Sequence, residues 1–381
     1  MTNDKIFIEN YQSIVRNLLG ENLKETPLQN IVISPYSILY LLSIVALSTD
    51  NNTKDEITQF LSCKQNQQIT GYSDCDDSCT DSSGDFCDYL LSVQRFLDEC
   101  KELSVSNAIC AKSLFSKSIK KEFVHKLSKQ HKCNVFASDH VADDVNKWVK
   151  KNTKGMINSL LDPSADFNAC FLNAIAFISE WATPYENDDI YEDDFTNADG
   201  TVSTVEMLRS TEKKFVVDEN FYGFVKDYKN NNFSFMALLP KNKANVSLLI
   251  KSLEKINFTK LYSQSSRKKV YVTMPEFKYS FSNELTDFCK RHGINELFTP
   301  AADFSPMCSA PLMADSILHK AYIELDRKGT KAAAVTGMVV VAGCAPMMED
   351  YKEVILDRPF VYAIIHNKTG LPIFTGITNK L

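Results

Sequence analysis

The stretch Asp326-Arg-Lys-Gly-Thr-Lys-Ala-Ala-Ala-Val-Thr-Gly-Met-Val-Val-Val-Ala-Gly-Cys344 begins with charges, passes one glycine and continues through small and β-branched residues. Such residues favour an extended strand, in which every second side chain points to the same face. One face would carry the uncharged residues Thr330, Ala332, Ala334, Thr336, Met338 and Val340. The other would carry Lys331, Ala333, Val335, Gly337, Val339 and Val341. The stretch could therefore bury one face in a sheet while Lys331 stays in water.

The residues after this stretch have the composition of an exposed loop. Pro346, Glu349 and Asp350 follow within a few positions, and turn-forming and charged residues of this kind are typical of loops. The segment therefore suits two states, an exposed loop and a strand inserted into a sheet. An ordinary edge strand is the alternative that the same residues allow.

Length, composition and charge limit the class of protein. The chain has 381 residues, of which 44% are hydrophobic and 24% charged, which is typical of one large globular domain or two smaller ones. The net charge of −6 argues against a nucleic-acid partner. No apolar run reaches the length that spans a membrane. Acidic residues interrupt the N-terminus, so we expect synthesis in the cytoplasm, and unconventional release to the extracellular space stays open.

The eleven cysteines are scattered along the chain, which predicts mostly free thiols in a reducing compartment. Residues 64–88 are rich in Asp, Ser and Gln and predict a mobile surface insertion. Cys75, Cys79 and Cys87 within it lack the usual zinc spacing. We therefore expect neither a metal nor a cofactor.

Helical patterns dominate the first half of the chain and strand patterns the second. Helices are predicted at 5–20, from Pro35 to about 48, at 90–103 and within the lysine-rich segment 112–132. Strands are predicted at 171–178, 202–208, 215–217, 233–239, 270–274, 360–366 and 372–377. Without an internal repeat or a linker, this favours one α+β domain over 1–381. The lysines of 112–132 predict a solvated helix face, with polyanion binding as the alternative.

Ala321–Thr336 resembles the hinge of the serpins, and further family blocks follow the family's order over about residues 5–379. Each block is short, but their common order is specific. The matching blocks are Asn30–Ser37, Asn146–Gly155, Asn173–Phe177, Trp181–Tyr185, Met274–Lys278, Ala302–Ser305, His319–Ala321 and Pro359–Phe360.

The resemblance implies an α+β serpin fold with three β-sheets, about nine helices and an exposed reactive-centre loop at about 327–358. It also implies a monomeric inhibitor that is not an enzyme. A target serine protease would attack the loop and form an acyl-enzyme, and the loop would then enter the main sheet as an extra strand and distort the protease. The implied hinge residues are Gly329, Thr330, Ala332, Ala333, Ala334 and Thr336. The implied shutter residues, where the sheet opens, are Ser34, Ser37, Asn173 and His319.

The family's count of about fourteen residues past Gly329 gives Gly343–Cys344 as the reactive bond. The loop is longer than in many members, so Met347–Met348 is the alternative. Neither bond follows Arg, Lys or Asp, which argues against trypsin-like proteases and caspases as targets. The apolar flank 339–342 favours elastase-like proteases, and a methionine would suit chymotrypsin- or cathepsin G-like ones.

Two hinge positions depart from the family pattern, because Arg327 and Lys331 stand where acidic residues are common. A non-inhibitory serpin that acts as a chaperone, carrier or storage protein is the alternative function, although the small hinge residues favour inhibition. A cysteine-dependent enzyme using Cys344 is disfavoured because none of the six histidines lies in a recognisable partner motif.

Overall fold

The structure is a computed structural model that describes residues 3–62, 82–242, 246–330 and 351–381, with side chains from residue 6 and, after the first gap, from residue 90. Nine α-helices lie within these ranges: α1 (Asn3–Glu25), α2 (Pro35–Ser48), α3 (Asn51–Ser62), α4 (Ser82–Asp98), α5 (Lys121–His131), α6 (Val141–Asn152), α7 (Val246–Leu253), α8 (Phe258–Ser263) and α9 (Thr286–Arg291).

The described strands are β1 (Ile31–Ile33), β2 (Leu103–Lys112), β3 (Cys133–Ser138), β4 (Ala169–Phe177), β5 (Ser179–Glu180), β6 (Ile190–Thr196), β7 (Val202–Val217), β8 (Phe221–Asp227), β9 (Phe233–Pro240), β10 (Ser266–Pro275), β11 (Phe277–Glu284), β12 (Ser316–Asp326), β13 (Gly329–Thr330), β14 (Lys352–Ile355), β15 (Phe360–His366) and β16 (Leu371–Thr378). No helix of the described residues is long and apolar enough to cross a membrane.

Contacts between Cα atoms divide the chain into two compact units. The first unit comprises Met1–Tyr11, Ser34–Ala176 and Phe281–Tyr322. The second comprises Gln12–Ile33, Phe177–Ser280 and Ile323–Leu381. The single serpin domain over 1–381 stays a prediction.

The sheet of the first unit has β3, β2, β4 and β12 as neighbours in that order. β4 and β12 are parallel, with Cys170–Ala176 paired to Ser316–Tyr322. Every residue of β4 is buried, as its unbroken apolar run predicts. Val141 and Val145 of α6 pack in one core cluster with residues of β2, β4 and β12. The sheet therefore buries β4 and leaves the polar residue Asn173 at its centre.

Helix α2 begins where the sequence predicts. Ser34 is its N-cap, and its Oγ accepts a hydrogen bond of 3.3 Å from the backbone N–H of Ser37. Pro35 takes the first helical position, where a missing N–H costs nothing. Nearly every residue of the helix is buried, which its apolar composition on all faces explains.

The second unit contains a nine-stranded sheet in the order β1-β16-β15-β9-β8-β7-β10-β14, with β6 also paired to β7. The 16-residue strand β7 makes this sheet continuous. Its first seven residues pair with β6 and its last four with β8, while β10 pairs along most of the remainder and overlaps both. Strands that would otherwise form two sheets are thereby joined into one.

Three predicted element boundaries are wrong. The helix predicted at 90–103 begins at Ser82 and ends at Asp98, so residues 82–88 of the predicted insertion are helical and the rest of it lies outside the described residues. Leu103 begins β2 instead. The segment 112–132 is helical only over α5, because its first part finishes β2 and forms a short 3₁₀ turn. The strands predicted at 202–208 and 215–217 are one strand, β7.

Candidate functional site

The predicted hinge lies partly within the described residues. Gly329 and Thr330 form β13, whereas residues 331–350 are not described. The predicted site residues outside the described part of the chain are Ala332, Ala333, Ala334, Thr336, Gly343, Cys344, Met347 and Met348. Their roles stay predictions.

The two-residue strand β13 pairs antiparallel with a strand on each side. Thr330 lies opposite Leu325 of β12 on one side and opposite Ser179 of β5 on the other. Gly329 has φ +156°, and a Cβ atom there would lie 2.1 Å from the carbonyl oxygen of Ser179. Only glycine fits between these two strands, because any side chain would collide with the neighbouring backbone.

The side chain of Thr330 is fully buried and hydrogen-bonded. Its Oγ1 lies 2.7 Å from the hydroxyl of Tyr228, whose pKa is raised by burial, so the bond joins two neutral groups. The ring of Tyr228 stacks on Trp181 with centroids 4.5 Å apart. Trp181 in turn donates from Nε1 to the carbonyl oxygen of Asp326 at 3.0 Å. The side chain of Thr330 in the predicted hinge is thus held by an aromatic pair that is tied to the preceding turn.

The turn between β12 and β13 is closed by its own charged residues. Oδ1 of Asp326 accepts hydrogen bonds from the backbone N–H groups two and three positions later, at 2.7 and 3.0 Å. Arg327 forms ion pairs with Glu276 and Glu206, each at 3.0 Å, and its side chain is 34% exposed. The positive charge that departs from the family pattern is therefore matched by two carboxylates at the surface.

All four predicted shutter residues meet in the first unit, and all are fully buried. Oδ1 of Asn173 accepts from the hydroxyl of Ser37 and from Nδ1 of His319, both at 2.7 Å. The backbone N–H of Ser34 donates to Nε2 of His319 at 3.1 Å. Asn173 and His319 are also register partners of β4 and β12. A side-chain hydrogen bond therefore reinforces the backbone ladder between these two strands.

The partners of His319 define its protonation state. Nε2 accepts a hydrogen bond from Ser34, so the ring proton is on Nδ1, which donates to Asn173. The ring is neutral, because burial lowers its pKa to about 3. A charged imidazolium would carry a proton on both nitrogens and would lose the bond from Ser34.

Sequence reasoning missed a fifth member of this network. Nδ2 of Asn173 donates to Oδ1 of Asn107 at 2.7 Å, and Asn107 is itself buried in β2. Asn107 also lines a cavity of about 180 Å³. The available signal was a polar residue at the start of the apolar run of β2, since buried amides need partners.

The buried ion pair between Lys226 and Glu212 was also missed. Its atoms are 2.8 Å apart, and the two side chains are 3% and 13% exposed. Lys226 Nζ also lies 4.5 Å from the ring centroid of Tyr185. The pair lies in the second unit, like the predicted hinge residues Gly329 and Thr330. Lys226 and Glu212 belong to strands with ordinary residue patterns, so nothing in the sequence indicates that they form a buried pair.

The lysines of the basic segment 112–132 are mostly exposed, as a solvated face requires. Two of them are paired, Lys112 with Asp166 and Lys132 with Asp98, both at 2.8 Å. Polyanion binding by this segment stays a prediction.

Six cysteines with described side chains are free and buried: Cys100, Cys110, Cys133, Cys170, Cys289 and Cys308. Burial raises the pKa of Cys133 to about 12 and that of Cys100 to about 11. These thiols therefore behave as core side chains rather than as nucleophiles.

Comparisons with known proteins agree with the geometry. The family model described as Serpin (serine protease inhibitor) matches residues 9–380. Serine proteinase inhibitor 1 of Variola virus is 27% identical over 375 residues, which cover 94% of each chain. Glia-derived nexin of Rattus norvegicus is 27% identical over 385 residues, covering 95% of this chain and 90% of that protein.

The crystal structure of the thermophilic serpin tengpin in its native state aligns with a TM-score of 0.84 and 31% identity, covering 98% of this chain and 94% of that one. The predicted α+β serpin fold is confirmed. With a family model matched along nearly its whole length, this chain belongs to the serpin family.

Proposed function

We propose that this chain inhibits a serine protease as a suicide substrate, by inserting its reactive-centre loop between β4 and β12. The observation that carries the proposal is the placement of β13. β4 and β12 are paired directly with each other in the first unit. β13 pairs with the end of β12 and with β5, which follows β4 in the chain after one residue. β13 thus occupies the position from which an inserted strand would start.

The register of β13 supports insertion of the following residues. Thr330 is opposite Leu325 and Gly329 is opposite Asp326. If the strand continued in this register, Thr336 would lie opposite His319. The pairing with β5, continued along β4, gives the same residue opposite Asn173. Both registers therefore bring the hydroxyl of Thr336 to Asn173 and His319, whose mutual hydrogen bond an inserted strand would have to break.

The side chains on the inserted face would be small. Thr330 is fully buried already, and the positions of the same parity after it are Ala332, Ala334 and Thr336. An inserted strand of about 15 residues would extend about 50 Å. At about 1 kcal/mol net for each new ladder bond, insertion would contribute on the order of 10 kcal/mol. This is comparable with the whole stability of a domain, and so is enough to distort a bound protease.

The target class follows from the proposed reactive bond. Counting fourteen residues from Thr330 as the first gives Gly343, with Cys344 after the bond. The apolar residues before it favour an elastase-like protease, and cleavage at Met347–Met348 would favour a chymotrypsin- or cathepsin G-like one. We also propose that the protein resides in the cytoplasm, supported by its six free, buried thiols.

Incubation with elastase, chymotrypsin, cathepsin G and trypsin tests the proposal. We expect a complex with one of the first three that survives denaturing gel electrophoresis, and release of a C-terminal peptide that begins at Cys344. A peptide that begins at Met348 would select the alternative bond. If the loop is cut but none of the four proteases is trapped, the inhibitory proposal fails and a non-inhibitory serpin function is favoured.

A further inference from the structure

Three large apolar side chains are exposed on the outer face of β10 and β14 in the second unit. Tyr271 of β10 is 40% exposed, Tyr351 just before β14 is 58% exposed, and Ile355 is 38% exposed. Side chains alternate between the two faces of a strand, and Val354, which precedes Ile355, is fully buried. The exposed residues therefore belong to one face of this sheet, and the buried ones to the other.

The register of the two strands brings these three side chains together. β14 is parallel to β10, with Tyr271 opposite Glu353 and Thr273 opposite Ile355. The rings of Tyr271 and Tyr351 meet edge to face, with their centroids 5.1 Å apart. We call Tyr271, Tyr351 and Ile355 the aromatic surface. Exposed apolar residues that adjoin one another mark interaction sites, and tyrosine is enriched at the centres of protein interfaces.

Charged side chains flank the aromatic surface. Nζ of Lys269 lies 5.3 Å from the ring centroid of Tyr271. Arg209 of β7 is opposite Thr273, is exposed, and forms no ion pair with a carboxylate among the residues that the structure describes. Glu353 is exposed and carries the one negative charge of these three residues. Their net positive charge favours a partner that places carboxylates around an apolar contact.

A short stretch of chain ties the aromatic surface to the proposed reactive bond. Tyr351 follows Cys344 by seven residues, so the two are at most about 25 Å apart however the chain between them runs. For the alternative bond, Tyr351 follows Met348 by three residues, which limits the distance to about 11 Å. A protein interface of standard size covers about 800 Å² of each partner, a patch roughly 30 Å across. The contact patch of a protease bound at either bond is therefore large enough to include the aromatic surface.

We propose that the aromatic surface is a second contact for the target protease, beside the active-site cleft on the side that receives the residues after the reactive bond. This inference rests on the proposed function, because it needs a protease bound at the loop. The protease would supply an apolar side chain that packs on the rings of Tyr271 and Tyr351. It would also supply carboxylates that pair with Lys269 and Arg209. Selection among proteases with similar active-site pockets would then depend on this surface as well as on the reactive bond.

The rate of complex formation tests the proposal, measured for the wild type, Tyr271→Ala and Tyr351→Ala with the protease that the wild type traps fastest. Each variant should lower the second-order rate constant about tenfold, the effect of one interface hot spot, and should leave the number of chains consumed per trapped protease unchanged. Val217→Ala is the matched control, because Val217 is 52% exposed on the same sheet. It lies about 20 Å along β7 from Thr211, the residue opposite Tyr271. Equal rate constants in all four proteins would overturn the proposal.

Charge variants test the chemistry assigned to the protease. Lys269→Gln and Arg209→Gln should each lower the rate constant about threefold, and Glu353→Gln should raise it by a similar factor. A general disturbance of the strands would slow all three variants, so the opposite signs identify a charged partner. If Glu353→Gln reacts more slowly than the wild type, the protease does not present carboxylates to this surface and the proposal fails.

Binding of a protease whose active-site serine is replaced by alanine separates this surface from the proposed inhibition. Such a protease can bind the loop but cannot form the acyl-enzyme, so calorimetry measures the contact alone. Tyr271→Ala should raise the dissociation constant about tenfold. If it does so while no active protease is trapped, the proposed inhibition fails and the surface stands. If active protease is trapped but the dissociation constant is unchanged in Tyr271→Ala, the surface alone fails, and an absence of binding to all four proteases overturns both.

Discussion

Acidification should lower the free energy of unfolding of this protein through protonation of His319. Replacing His319 with glutamine should remove that effect. His319 is fully buried, and burial lowers its pKa to about 3, whereas an unfolded histidine has a pKa of about 6.5. Between these two values the unfolded chain binds a proton that the folded chain does not. The free energy of unfolding therefore falls as the pH falls below about 6.5, and the loss is complete only near pH 3.

The size of the effect at pH 5.0 follows from these two pKa values. At that pH nearly every unfolded chain is protonated at this histidine, and almost no folded chain is. Between pH 7.5 and pH 5.0 the free energy of unfolding therefore falls by about 2 kcal/mol through this histidine. This is a large fraction of the stability of a typical domain.

The assay is urea unfolding of the wild type and His319→Gln at pH 7.5 and 5.0. Glutamine carries one acceptor and one donor group, for Ser34 and Asn173, and it does not titrate. His366, whose burial lowers its pKa to about 4, titrates in both proteins and so cancels from the comparison. Over this pH range, we expect the free energy of unfolding to fall by about 2 kcal/mol more in the wild type than in His319→Gln. Equal losses, or an NMR titration that finds the ring of His319 protonated near pH 6.5, would refute the reasoning.

Further outcomes can be measured at the hinge and at the thiols. If the proposed inhibition is correct, Thr330→Arg should turn the protein into a substrate, because an unpaired charge at a buried position costs several kcal/mol and would oppose insertion. The loop should then be cut without a trapped protease, while Thr330→Ser should still form the complex. Thr330→Val should lower the free energy of unfolding by about 1–3 kcal/mol relative to Thr330→Ser, since the buried hydroxyl of Tyr228 would lose its partner; equal urea midpoints would contradict this. Gly329→Ala should accelerate hydrogen exchange at the amide of Thr330, because the new Cβ would lie 2.1 Å from the carbonyl oxygen of Ser179, and unchanged protection would count against the clash. Thiol titration of freshly isolated, denatured protein should give close to eleven reactive groups, whereas a single one would indicate five disulfides.

The parts of the site that the sequence predicted depend on local rules. Gly329 and Thr330 stand where a strand must begin, and Ser34 and Pro35 are the residues that begin a helix. Asn173 and His319 are predicted differently, from their places in blocks that resemble the serpin family. For the strand start and the helix start, the residue type and its immediate neighbours restrict the backbone, so a single sequence contains the information.

The partners of these residues were not predictable in the same way. Tyr228 reaches Thr330 across 102 positions of sequence, and Asn107 reaches Asn173 across 66. Nothing in the local sequence of Tyr228, which follows β8 directly, distinguishes it from the other tyrosines of the chain. Such contacts depend on which strands are neighbours, and neighbouring strands are chosen by the packing of the whole sheet rather than by one segment.

The wrong helix boundary at α4 has a local cause. Residues 82–88 are rich in Ser and Asp, a composition that predicts part of a surface insertion. The same residue types are favoured in the first turn of a helix, because their side chains accept hydrogen bonds from free N–H groups and their charge suits the helix dipole. Polar composition alone therefore does not distinguish a loop from a helix N-terminus.

The strand directions explain why insertion between β4 and β12 would be favourable. These two strands are now parallel neighbours over seven residue pairs. β13 is antiparallel to both β12 and β5, so a strand that continues it would be antiparallel to each neighbour. Insertion would thus exchange one parallel ladder for two antiparallel ladders. The sheet would gain the backbone hydrogen bonds of one additional ladder, and antiparallel pairing is slightly more stable per residue than parallel pairing. Under the proposed mechanism, the hydrogen bond between Asn173 and His319 would oppose this exchange, and the hydroxyl of Thr336 would supply a new donor and acceptor to these two side chains once the strand is in place.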